Sequence, residues 1–324
     1  MIIGESDFKE NNISCGPSDF KAYKKLMEEY KNYDSMTKII IDCDPGHDDA
    51  IEMLLAMADE YAEILGICTV AGNQSLEKTT LNALKVIELA GRKDINVYPG
   101  SAKPIMGNLI TAPNIHGNTG LDGTLFREPT LRASKTNAID FMHNVLREQN
   151  VVIVTTGPIT NLAILLLAYP EVKKNIDRVI WMGGSYSMGN ITPDAEFNAY
   201  NDPEALKIVL NSKLNFTMVT LDVTHRALFT MDDINRIKNM NNKVSEQVYE
   251  LLTFFYKTYE ENFSLGGVPI HDACALAEAL HPGIIKSKLL NVEVNTSTGP
   301  SRGRTIVDIY NVTGREKMPL FPWI

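Results

Sequence analysis

No apolar run in this chain is long enough to cross a bilayer, no CxxC pair or zinc-type cysteine spacing occurs, and no repeat or low-complexity segment stands out. Basic residues are also outnumbered: 31 Lys and Arg against 40 Asp and Glu, for a formal net charge of −9. Each absence excludes a class of function. A membrane helix needs about 20 consecutive apolar residues, and the polar N-terminus lacks the apolar core of a secretion signal. A soluble, cytoplasmic protein without a membrane partner is therefore expected. The acidic balance removes any general attraction to nucleic acid or anionic lipid. The four cysteines are Cys15, Cys43, Cys68 and Cys274. Cys43 and Cys68 sit in apolar strand contexts and Cys274 at a helix start, which fits small reduced thiols rather than disulfides.

What remains is 324 residues, 44% of them hydrophobic, enough for one sizeable α/β domain or two smaller ones. Residues 1–36 differ from the rest. A weak helical rhythm through Tyr23, Leu26, Met27 and Tyr30 reads as a surface appendage, or as leader sequence the fold does not need. From Thr37 onward, strand, loop and helix alternate. Lys38 to Ile41, Glu63 to Val70, Val151 to Thr155, Arg178 to Trp181 and Phe216 to Leu221 read as strands. Ala50 to Met57, Leu76 to Leu89 and Ile159 to Ala168 read as helices. Continuous β-branched runs alternating with helices predict a mostly parallel, Rossmann-like open sheet covered on both faces.

Polar and glycine-rich loops repeatedly follow the strands: Asp44 to Asp49, Ala71-Gly72-Asn73, Thr156-Gly157-Pro158 and Met182-Gly183-Gly184. Alone, Ala71-Gly72-Asn73 is an ordinary turn. Together, the four predict convergence on one rim of a parallel sheet. The densest of them places Asp42, Asp44, Asp48 and Asp49 within eight residues. Like charges at that density repel unless a cation sits among them, and hard divalent cations such as Ca²⁺ or Mg²⁺ take oxygen ligands. A helix cap alone would need fewer acids.

Three further constellations carry chemistry. Asp272 either caps the apolar helix that follows it or adds another metal ligand, with His271 beside it as a proton donor near neutral pH. Glu196 and Asn198 flank Phe197, and alternate residues of an extended chain share a face suited to a diol. His116 lies in the long Gly- and Pro-containing stretch from Pro99 to Pro129, a length associated with lids and binding loops. His47, although inside the acidic cluster, is assigned no catalytic role, because hard cations prefer oxygen to imidazole. Phe254, Phe255, Tyr256 and Tyr259 have the spacing of a helix face in the core, with Tyr259 closest to the rim.

The ordered motifs DCDPGHDDA, AGN, IHG, TGPITN, MGG, EFN with DPEA, LDVTH and HDACA resemble the inosine-uridine-preferring nucleoside hydrolases, from about Thr37 to about Thr313. Bacterial ribonucleoside hydrolases, pyrimidine-preferring members included, share the likeness. The resemblance implies hydrolysis of the N-glycosidic bond of ribonucleosides to ribose and free base, in purine or pyrimidine salvage. It implies that Asp44, Asp49, Asp272 and the main-chain carbonyl of Thr156 hold a Ca²⁺, which also binds the ribose 2′- and 3′-hydroxyls and a water. Asp44 would be the general base for that water. Asp48, Asn73, Glu196 and Asn198 would bind the ribose, with Asn190 and Met182 completing the sugar pocket. His271 would protonate the departing base, which His116 and Tyr259 would contact. Family members are dimers or tetramers, so a homodimer or homotetramer is implied.

Two rivals are weaker. Asp42-Cys43-Asp44 also resembles the start of aspartate-nucleophile phosphohydrolases, which leaves Pro45-Gly46 and the His271 segment unexplained. A non-catalytic nucleoside- or ribose-binding protein is the other, although every expected ligand position is filled. The relatives continue past the Thr305 to Asp308 strand into another strand and a closing helix. Here Gly314 to Ile324 gives out, so the domain, residues 37–324, is expected to be short at its C-terminus.

Overall fold

Ile39, Ile40 and Ile41 are all wholly buried, and they feed different cores. Ile40 packs into one apolar layer, Ile39 and Ile41 into another. Successive strand residues point to opposite faces, so a strand apolar at every position must be covered on both sides. In a computed structural model of the chain, this strand is β1 (Thr37–Cys43). The structure describes residues 36–322, and the chain divides into the units Met1–Met36 and Thr37–Ile324. The weak helix read between Tyr23 and Tyr30, Cys15 and the last two residues lie outside the described residues.

The other strands are β2 (Ala62–Thr69), β3 (Val97–Pro99), β4 (Val151–Thr155), β5 (Ile176–Met182), β6 (Phe216–Val219), β7 (Leu228–Phe229), β8 (Val268–Pro269), β9 (Ser287–Leu289), β10 (Asn291–Val294), β11 (Thr305–Asp308) and β12 (Leu320–Pro322). Eight form one sheet in the order β3-β2-β1-β4-β5-β6-β12-β9. Every neighbouring pair is parallel except β12 with β9. Two antiparallel pairs, β7 with β8 and β10 with β11, stand apart.

The main helices are α1 (His47–Ala58), α2 (Leu76–Ala90), α3 (Ala138–Glu148), α4 (Thr160–Ala168), α5 (Pro203–Asn211), α6 (Met231–Lys238), α7 (Lys243–Asn262) and α8 (His271–Leu280). Apolar residues of α3, α4 and α5 line one face of the sheet. Those of α1, α2 and α8 line the other. A third cluster joins α6 and α7 to β8. The predicted parallel sheet with helices on both faces is thus the observed architecture. Its order runs outward from β1 through β2 in one direction and from β4 in the other. Ligands bind at such a switch point, beyond the carboxyl ends of the strands. Asp42 and Thr155 are register partners there, which brings the loops beginning at Asp44 and Thr156 side by side.

Three departures from the sequence reading have simple causes. β3 is three residues long and stops at Pro99, too short for a periodic signal. The run read as strand through Leu221 ends at Val219, because the Thr220 carbonyl accepts from Val223 and Thr224 and starts a helical turn. The third lies at the C-terminus, where the sequence reading assigned no strand after Thr305 to Asp308. The stretch expected to give out supplies β12, which pairs parallel to β6 through Leu320 and Thr217 and antiparallel to β9. Phe321 is 1% exposed in the core shared with Trp181 and Phe216. Two prolines bracket Leu320-Phe321 and hide the strand from pattern reading, although a three-residue strand tolerates them at its ends. Truncating a buried aromatic costs about 3–5 kcal/mol, so Phe321→Ala is expected to lower the free energy of unfolding by that amount in urea titrations. An unchanged midpoint would show that β12 does not hold the sheet.

Candidate active site

The acidic loop folds on itself before it meets anything else. The backbone amides of Asp44 and Gly46 donate to Asp49, at 3.2 and 2.8 Å. Asp48 and Asp49 fall in the first turn of α1, where the helix dipole favours negative charge. Asp44 extends beyond β1 and is gripped by the neighbouring loop: the Asn73 amide donates to its Oδ2 at 2.6 Å. Asn73 Nδ2 reaches both the Asp44 carbonyl and Asp49 Oδ2, each at 3.2 Å. Gly72 permits this approach, since a Cβ there would collide with Asp44 Oδ2. Thr156 ties the β4 loop to β1, its amide donating to the Asp42 carbonyl at 2.9 Å.

Asp272, in the first turn of α8, completes the cluster. Oxygens of Asp48, Asp49 and Asp272 lie within 4.8 Å of one another, and all three residues are buried. The helix begins at His271 with Ile270 at its cap position, so Asp272 stands inside the first turn and not at the cap. Asp44 Oδ1 and Asp48 Oδ1 are buried without a hydrogen-bond partner. Burial, reinforced by mutual repulsion, pushes Asp48 up to about 8 and holds Asp44 and Asp272 well above the usual carboxylate range. Burial raises Asp49 to about 6, less because backbone amides bond it. Orphaned oxygens at such density are what a hard cation satisfies. The donor set, all oxygen, fits one.

Over this cluster opens a cleft. Asp48, Asn73, Thr156 and Asp272 form part of its lining, and Met182, Asn190, Glu196 and Asn198 another part. His116, Tyr259 and His271 close it on a third side, with Phe263. Asp44 and Asp49 lie beneath, outside the lining. Glu196 caps the short helix Phe197–Asn201, accepting from the Asn198 and Ala199 amides at 2.8 and 3.0 Å and from Gly184 at 2.8 Å. Asn198 donates to the Thr156 carbonyl at 2.7 Å and the Met182 carbonyl at 3.2 Å. Asn190 holds the Phe197 amide at 2.8 Å.

The sequence model described as inosine-uridine preferring nucleoside hydrolase covers residues 39–320. The chain belongs to that family.

The hydrolase is 45% identical over 281 residues to the pyrimidine-specific ribonucleoside hydrolase RihA of Salmonella typhi, covering 86% of this chain and 90% of that one. It is 44% identical, over the same shares, to RihA of Escherichia coli O6:H1. Among solved structures, a purine-preferring ribonucleoside hydrolase from Gardnerella vaginalis superposes with a TM-score of 0.83 at 30% identity, over 88% of this chain and 93% of that one. An inosine-guanosine nucleoside hydrolase superposes at 0.81 and 27%, over 88% and 94%. The chain is accordingly an enzyme that hydrolyses the N-glycosidic bond of nucleosides, and its buried aspartate cluster stands where a metal ion fits.

His47, His116 and His271, at and beside the cleft, are held against positive charge by burial. Burial lowers His271 to about 3; its Nδ1 is 2.7 Å from the Thr224 hydroxyl and its Nε2 2.7 Å from the Tyr259 hydroxyl. Tyr259 therefore presents its hydroxyl to His271 and packs edge-on against Phe255. His47 points away from the carboxylates, with Nε2 2.7 Å from the Asp122 carbonyl and the ring stacked on Phe254 and Phe255. Its Nδ1 lies 3.2 Å from that of His116. Asp42 is wholly buried, bonded to Asn161 at 2.7 Å and outside the cleft lining, a poor place for a phosphate nucleophile. The sequence reading missed two residues. Thr224 carried no signal beyond its place in LDVTH, whereas Glu52, three and four residues after Asp49 and Asp48, shares their helix face. It is wholly buried among them.

A raised carboxyl pKa means that the folded state keeps its proton after the unfolded state has lost it. With divalent cations chelated, stability is then greatest below about pH 4 on this account and declines as pH rises through about 6 (Asp49) and 8 (Asp48). Between pH 5 and pH 8 in chelator, the melting temperature is expected to fall by roughly 5 °C or more, and excess divalent cation at pH 8 to restore it. A flat profile would mean that the cluster carries no such strain.

Proposed function

We propose that this enzyme is a Ca²⁺-dependent, pyrimidine-preferring ribonucleoside hydrolase of the cytoplasm, serving nucleoside catabolism and salvage. In this reading, residues 37–324 are the hydrolase domain and residues 1–36 an extension, and the chain assembles as a homodimer or homotetramer, as its family resemblance implies. The observation that carries it is the meeting of Asp48, Asp49 and Asp272, with Asp44 bonded to Asp49, beside a cleft that Thr156, Asn73, Glu196 and Asn198 line. Carboxylates and a carbonyl, without imidazole or thiolate, suit Ca²⁺, whose coordination number leaves room for a sugar diol. The pyrimidine preference rests on the likeness to the RihA proteins, whose names state it.

Asp44, Asp49, Asp272 and the Thr156 carbonyl would hold the cation. Bound there, Ca²⁺ supplies positive charge that favours ionisation of the attacking water and fixes the ribose 2′- and 3′-hydroxyls. Asp44 suits the general base: Asn73 anchors its Oδ2, leaving the unpartnered Oδ1 to accept the proton. Asp48, Asn73, Glu196 and Asn198 orient the ribose, with Met182 and Asn190 shaping the pocket around it. The same carboxylates and amide oxygens stabilise positive charge as it develops on the sugar. At the other end, His271 acts together with Tyr259. As general acid His271 would take a proton from solvent and give it to the departing base, returning to the neutral imidazole that burial favours, while the Tyr259 hydroxyl 2.7 Å from Nε2 orients the ring. His116 meets the base, its ring braced by His47.

Asp44→Ala is expected to lower kcat/KM on uridine by about a thousandfold or more; full activity would remove the mechanism. Chelation should abolish turnover and Ca²⁺ should restore it. His271→Ala should slow uridine by about a hundredfold and a nitrophenyl riboside by less than about tenfold, since that leaving group departs unprotonated. Equal losses would reject the acid role. Rates on uridine and cytidine are expected to exceed those on inosine and adenosine, and the reverse order would sink the pyrimidine preference.

A further inference from the structure

Glu52 takes no part in the chemistry above, yet it follows Asp49 by three residues and is wholly buried. It projects from the second turn of α1, on the face that carries Asp48 and Asp49. Its Oε2 accepts from the Thr156 hydroxyl at 2.9 Å, while Oε1 has no hydrogen-bond partner. The same hydroxyl stands 3.5 Å from Asp49 Oδ1. One hydrogen thus has two carboxylate oxygens within reach, and the nearer belongs to Glu52.

Thr156 is held at three points. Its amide donates to the Asp42 carbonyl at 2.9 Å, its carbonyl accepts from Asn198 at 2.7 Å, and its side chain is held by Glu52. If the Glu52 acceptor were missing, the hydroxyl would turn to Asp49 Oδ1. That oxygen would then be shared between a hydrogen bond and a cation, and the peptide carrying the Thr156 carbonyl would lose one of its three anchors.

We propose that Glu52 is a positioning residue for the cation site, taking the Thr156 hydroxyl hydrogen so that Asp49 Oδ1 and the Thr156 carbonyl stay free for the ion. This inference rests on the reading of a cation at Asp44, Asp49, Asp272 and Thr156. Glu52 touches neither substrate nor water in this scheme and acts through Thr156 alone. The requirement is an acceptor at Oε2, so a neutral carbonyl oxygen in the same place serves equally.

Calcium titration calorimetry on the full chain tests this, with melting temperatures at saturating Ca²⁺ as a check on folding. Glu52→Gln keeps the acceptor and is expected to bind Ca²⁺ within about threefold of the parent. Glu52→Met keeps the volume without the acceptor and is expected to weaken binding about tenfold, the usual worth of a hydrogen bond to a charged group. Should Glu52→Met fail to fold, Glu52→Ala carries the same comparison. In a Thr156→Val background no hydroxyl competes for Asp49, so removing the Glu52 acceptor should have no further effect on Ca²⁺ affinity. Parent-like binding by Glu52→Met, additive losses in the double variant, or a Glu52→Gln loss as large as that of Glu52→Met would each overturn the proposal. A parent chain that binds no Ca²⁺ would overturn the cation reading itself, and this inference with it.

Discussion

Burying several carboxylates around one point is costly, and the rest of this structure is arranged around that cost. Asp44, Asp48, Asp49 and Asp272 are all buried and all pushed towards their neutral forms. Isolated charges do not survive in such surroundings without a partner. The protein softens the cost with backbone amides, the start of α1 and the Asn73 side chain. Among the described residues, no arginine or lysine lines the cleft. Asp44 Oδ1 and Asp48 Oδ1 remain buried without a partner, so the fold is held short of full compensation beside the cleft.

The sheet makes this arrangement possible. Parallel strands deliver their loops to one rim, and the divergence of the strand order between β1 and β4 leaves a crevice at their ends. The glycine at Gly72 lets one loop close on Asp44, and Asn198 binds the carbonyls of Thr156 and Met182, lacing together the loops after β4 and β5. Residues that hold the loops and residues that would hold the ribose are therefore often the same residues. Glu196 is the plainest case, a helix cap whose carboxylate also lines the cleft.

Much of this was readable from sequence because the signals were periodic or dense. β4 is bounded as read, and β1, β2, β5 and α2 lie within a few residues of their expected limits. The acidic run and the loops after strands pointed to one rim, where they are found. β12 escaped because only Leu320 and Phe321 sit between its flanking prolines and the pairing with β6 spans a hundred residues of chain. Glu52 escaped because a carboxylate in a helix ordinarily faces solvent, and only packing shows that this one faces inward. The charge state of His271 escaped for the same reason: an unperturbed imidazole titrates near neutrality, and burial against Thr224 and Tyr259 removes that freedom.

By itself, then, the sequence determined the layering, the parallel sheet and the family, because hydrophobic period and motif order are local properties that survive without coordinates. The tertiary structure alone decided which carboxylate oxygens are left without partners, which way the histidines face, and that Thr156 is shared between Glu52, Asp49 and Asn198. Those are questions of distance and dielectric between residues far apart in the chain, and neither quantity is written in the order of the residues.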